Sequence, residues 1–166
     1  MASKKGITIT IIILAAITGG SFLLWIIPQD VETTLVVSDY ENYLDGVKNI
    51  HEVLQESIDL EYQNLRNGKI SPQEYIAVTE VTSSQVTTQI SEFVTSKPPE
   101  EWQTSYINYM DALKSFNSYI IETKVLANMI ENENSEEEMN ETIEKINLLK
   151  SEFTEFVKMS DQSRPS

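Results

Sequence analysis

Residues 102–130 read WQTSYINYMDALKSFNSYIIETKVLANMI, and their spacing decides the fold. Trp102, Tyr106, Tyr109, Leu113, Phe116, Ile120, Thr123, Ala127 and Ile130 alternate steps of four and three, the heptad-like period that lines all of them along one stripe of an α-helix. A strand, with its period of two, gathers no such set on one face. A helix striped on one side is stable only against neighbours that cover the stripe.

Those neighbours lie on both sides. Pro98 and Pro99 close a preceding helix, because proline disfavours helical geometry in the residue before it. That helix opens at Ser71-Pro72-Gln73-Glu74, with Ser71 as N-cap, Pro72 at the first helical position and Glu74 three residues after the cap, a complete capping box. Tyr75, Ile76, Thr79, Ser83, Val86, Ile90, Phe93 and Val94 are expected to face inward. The β-branched stretch from Thr79 to Thr88 is ambiguous between helix and strand when read alone. Earlier still, Tyr40, Tyr43, Leu44, Val47, Ile50, Leu54, Ile58 and Leu65 stripe a helix that begins after Asp39 and stops at Asn67 and Gly68, a left-handed cap signal.

On the C-terminal side, Asn132 and Asn134 interrupt the pattern. Ser135 and Glu138 then repeat the capping-box spacing, and Met139, Ile143, Ile146, Leu149, Phe153 and Phe156 stripe a fourth helix ending near Met159. Amphipathic helices joined by such short connections must fold back on one another. The expectation is an all-α, antiparallel up-down-up-down four-helix bundle over residues 39–159, preceded by a tether over 29–38 and followed by a disordered tail over 160–166. Trp102, Leu113, Phe116, Ile120, Phe153 and Phe156 are expected to be buried together.

Ahead of the tether, Ile7 to Ile27 is an uncharged apolar run long enough, at about 1.5 Å per residue, to cross a hydrocarbon layer of about 30 Å. Residues 1–28 therefore read as an N-terminal membrane anchor in contact with lipid. Lys4 and Lys5 precede the run and Asp30 and Glu32 follow it, which places the N-terminus inside and the helical domain outside the cytoplasmic membrane. Trp25 suits the far interface, and Pro28 ends the helix. A cleavable signal peptide is the competing reading, since Thr18 to Ser21 are small; against it, Phe22 to Ile27 stays apolar beyond any cut there. Ala15 with Gly19, and Ala16 with Gly20, stand four apart and form a narrow face along which a second membrane helix can approach closely. Lys4-Lys5-Gly6 and the stretch from Gly19 to Pro28 resemble the anchors of small, mostly uncharacterised single-pass membrane proteins of ammonia-oxidising archaea. The resemblance covers only the anchor and implies no activity; it suggests an accessory subunit of a membrane complex.

The chain carries 26 acidic residues against 12 basic ones, a formal charge of −14, and every acidic residue follows the anchor. No basic patch offsets them, so nucleic acid and anionic headgroups are expected to be repelled. There is no cysteine and a single histidine, His51. Disulfides, thiolate metal sites and the paired Glu-x-x-His frame of diiron bundles are thereby excluded. His51, beside Ile50 at the stripe edge, reads as a partly buried structural residue, and no cofactor is expected.

Between the third and fourth helices, Glu131, Glu133, Glu136, Glu137 and Glu138 form an acidic tip. Glu136 to Glu138 fall in a first helical turn, where the helix dipole favours negative charge; a divalent-ion site is the alternative, without the spaced ligands and glycine turn of a calcium loop. Asn140-Glu141-Thr142 is a glycosylation sequon inside the expected fourth helix. No phosphate-binding glycine loop, nucleophile elbow or framed pair of catalytic acids is present, so an enzyme is not expected. Two functions remain: a structural or interaction module meeting a membrane-protein partner, or a module that binds a small ligand or cation and passes it on.

Overall fold

The computed structural model describes Val37 and residues 39–165. The anchor over 1–28, nearly all of the tether and Ser166 lie outside the described residues. Four helices and no strand are found among those described: α1 Tyr40–Arg66, α2 Pro72–Thr95, α3 Glu100–Glu131 and α4 Glu136–Gln162.

Local chemistry sets the helix ends. Asp39 caps α1, its carboxylate accepting the Asn42 amide at 3.0 Å. At the other end Gly68 takes φ +64°, and the Gly68 and Lys69 amides return to the carbonyls of Leu65 and Asn64, closing the helix with a left-handed residue. Both capping boxes are formed. The Ser71 amide donates to Glu74 Oε2 at 2.8 Å while the Glu74 amide donates to Ser71 Oγ at 3.2 Å, and Ser135 with Glu138 does the same at the start of α4. α2 stops at Thr95, with Ser96 as its cap and Lys97 at φ +44° before the two prolines. At the end of α3 the left-handed position falls to Glu133, φ +53°, where α1 uses glycine.

Cross-contacts give the directions. The start of α1 meets the end of α2 through Tyr40 and Lys97. The start of α2 meets the end of α3 through Gln73 and Glu131, and Ser105 near the start of α3 meets Ser160 near the end of α4 at 2.9 Å. Successive helices therefore run antiparallel. α3 packs against all three others and is the axis of the core: Leu113, Phe116 and Ile120 are fully buried, joined by Leu44, Ile58, Val86, Ile146 and Phe153. α1 is held differently. No Cα atom of α1 comes within 8 Å of one in α4, and long side chains bridge the gap, Lys48 to Asp161, Asp59 to Lys150 and Asp45 to Arg164.

The α3 stripe lies where its spacing put it, with Trp102 and Ile130 half-buried at the ends. In the fourth helix Phe153 is buried and Phe156 half-buried. Three expectations are corrected. Ile50 is 53 % exposed and His51, one residue on, is 2 % exposed, because the core register of α1 runs Leu44, Val47, His51, Leu54, Ile58. Val94 is exposed, since Phe93 beside it already faces inward and one helical step turns a side chain by about 100°. The tail is ordered as far as the residues are described: α4 continues past Met159 to Gln162, Ser160 is buried, and Arg164 reaches Asp45 at 2.7 Å.

Candidate functional site

The acidic tip is a set of caps and solvated carboxylates. Glu138 closes the Ser135 box, and the hydrogen bonds from the Ser135 hydroxyl and amide hold its carboxyl below the usual range. Glu131 accepts from Gln73. Glu133, Glu136 and Glu137 are exposed and point into water. Among the described residues no three carboxylates or imidazoles stand close enough together to hold a metal ion. Ala15, Ala16, Gly19 and Gly20 lie outside the described residues.

The interior holds a polar group that the sequence presents as ordinary. His51 Nδ1 and the Tyr109 hydroxyl are 2.8 Å apart, and the imidazole is walled by Phe116 at 4.5 Å and Phe153 at 5.9 Å between ring centres. Burial pushes the His51 pKa down to about 4, so the ring is neutral at pH 7. Its Nε2 has no partner among the described residues, nor do the two polar atoms of Gln89 on α2. Lower in the core, Asp59 takes the Tyr119 hydroxyl at 2.6 Å on one oxygen and Lys150 at 2.6 Å on the other, tying α1, α3 and α4 together. Burial, and then the Asp59 carboxylate, raise the Tyr119 pKa.

The concave surface is slight. A shallow groove between α2 and α3 is lined by Thr79, Ser83, Thr87, Ile120, Ile121 and Lys124. Thr79 and Thr87 donate back to the carbonyls of Ile76 and Ser83, so their hydroxyl protons are already engaged within the helix.

The convex surface is more distinctive. Along α1 a second set of residues, Gly46, Ile50, Val53, Ser57 and Leu60, repeats at steps of four, three, four and three. The three large ones are exposed by 53, 56 and 51 %. Gly46 is exposed in mid-helix, and a Cβ built there meets nothing within 4 Å. The packing of the bundle therefore gives no reason for a residue that costs a helix about 1 kcal/mol relative to alanine. Glu52 and Glu56 border the stripe, exposed and in no ion pair among the described residues. The sequence held a signal for this face, a second heptad-spaced set in one helix, which the inward assignment of Ile50 concealed.

No protein-family model, no curated protein and no solved structure matches this chain.

Proposed function

We propose that this chain is a single-pass membrane protein whose N-terminal helix, residues 7–27, carries an antiparallel up-down-up-down four-helix bundle on the outer side of the cytoplasmic membrane. The bundle acts as an interaction module, an accessory subunit within a membrane protein complex. Support for the anchor is the apolar run with Lys4 and Lys5 before it; no helix among the described residues is itself long and apolar enough to cross a membrane. The observation that carries the interaction reading is the exposed apolar stripe of α1, because heptad-spaced apolar residues left uncovered by any other described residue are what a helical interface requires.

A second reading, capture of a small polar ligand inside the bundle, is favoured by the unpartnered atoms of His51 and Gln89. Purification from mildly solubilised membranes separates the two. A stoichiometric larger complex is the result expected of an interaction module, and a solitary chain with a bound organic ligand overturns it. Protease added to intact cells is expected to digest the bundle and spare the N-terminus; full protection of the bundle overturns the placement.

A further inference from the structure

We propose that the α1 stripe is a docking seam for one α-helix of a partner protein, apolar on one face and flanked by lysine or arginine. The proposal rests on the reading of this chain as an interaction module and names the face and the partner chemistry.

Three observations converge on that occupant. Steps of four and three along Gly46, Ile50, Val53, Ser57 and Leu60 match knobs and holes presented by another helix; a strand or a flat surface has no such period. Gly46 then gains a purpose, since a residue without a side chain lets a second backbone approach closely, while inside the bundle it answers to nothing. The charges beside the stripe choose the partner. Glu52 and Glu56 are exposed on one side, and across the α1–α2 seam Glu92 lies near enough to raise the Tyr43 pKa, after burial, by its charge. Lys48, the lysine of α1, is already committed to Asp161 at 2.6 Å.

A second copy of this chain would set these glutamates against one another, and anionic lipid headgroups meet the same repulsion. A helix carrying basic residues beside its apolar seam satisfies both the stripe and its border.

The test uses the full chain in detergent micelles and two synthetic helical peptides of equal length with the same Ile/Leu seam, one flanked by lysine and one by glutamate. The lysine-flanked peptide is expected to bind at least about tenfold more tightly. Ile50→Ser with Leu60→Ser abolishes that binding, while Glu52→Lys with Glu56→Lys reverses the preference; unchanged helical content and melting show that the variants fold. Binding of the lysine peptide that survives the stripe substitutions is charge attraction elsewhere and overturns the proposal, as does absence of binding. A dimer of the chain that Ile50→Ser with Leu60→Ser dissociates makes a second copy the occupant and also overturns it. If the complex expected from solubilised membranes forms equally with the stripe variant, the docking seam is wrong and the interaction reading stands. If wild type forms no complex, the reading itself fails.

Discussion

Lys48 of α1 and Asp161 of α4 are 113 residues apart in the chain, and the ammonium sits between both carboxylate oxygens at 2.6 and 2.8 Å. Arg164 joins the same group, reaching Asp161 at 3.3 Å and Asp45 at 2.7 Å. These side chains clasp α1 to the end of α4 where the backbones stand apart. Asp161→Asn with Arg164→Gln is expected to lower unfolding free energy by about 1 to 2 kcal/mol at low salt, since partly exposed pairs contribute up to about 1 kcal/mol each. The loss shrinks in concentrated salt. Denaturant unfolding at two ionic strengths measures it, and identical curves for variant and wild type at low salt mean that the clasp holds nothing.

Phe116 touches His51, Phe153 and Tyr119 and has no exposed surface. Phe116→Ala leaves a void between α1, α3 and α4 and is expected to cost about 3 to 5 kcal/mol. A loss well below about 1 kcal/mol in chemical denaturation would show that the neighbouring rings close the space.

His51 gives the fold a pH dependence of known sign. Its pKa is about 4 when folded, against an ordinary 6.5, so the unfolded chain binds the proton more readily. The contribution is complete above about pH 6.5, declines as pH falls, and is lost at about pH 4, amounting to about 3 kcal/mol from the difference of the two values. Asp39, Glu74 and Glu138 have lowered pKa values, so they lose their contribution at the acid end, below their ordinary range. Stability measured between pH 6.5 and 5 isolates the histidine. His51→Leu is expected to flatten the slope there, and an unchanged slope assigns it to other groups.

The glycines Gly46 and Gly68 respond to alanine in opposite directions. Gly46→Ala places a methyl group in open space and is expected to raise stability by about 0.5 to 1 kcal/mol through helix propensity. Gly68→Ala forces a side chain into φ +64° and is expected to cost about 1 to 2 kcal/mol. Thermal unfolding of both variants checks the contrast. A loss on Gly46→Ala points to an internal neighbour for that position.

The helix ends and the α3 stripe were legible in the sequence because they depend on residues no more than four apart: Ser71 with Glu74, Ser135 with Glu138, Gly68 after Asn67, Lys97 before Pro98. The register of α1 was only half legible. After Val47, a step of three reaches Ile50 and a step of four reaches His51; hydropathy favours the isoleucine, while the ring packing of Phe116 and Phe153 and the hydroxyl of Tyr109 favour the histidine. The order of the tail was not legible at all, since its partners Asp45 and Lys48 stand more than 110 residues earlier in the chain. Of the sites, the acidic run was visible but its capping roles depend on local geometry. The docking stripe was visible only as a pattern until Ile50 was found to face outward.

The wide separation of α1 from α4 also divides the domain in time. Helices α3 and α4 lie closely along each other, so their amides exchange with deuterium only when that pair comes apart, whereas α1, held by its buried stripe against α2 and α3 and by ionic bridges to α4, can open while the α3–α4 pair stays closed. Its central amides, from Val47 to Ile58, should therefore label well before those of Leu113 to Ile120, making α1 a separate cooperative unit. In a chain that enters this domain through α1, a pull from the N-terminal side would be felt first by the unit that yields most easily.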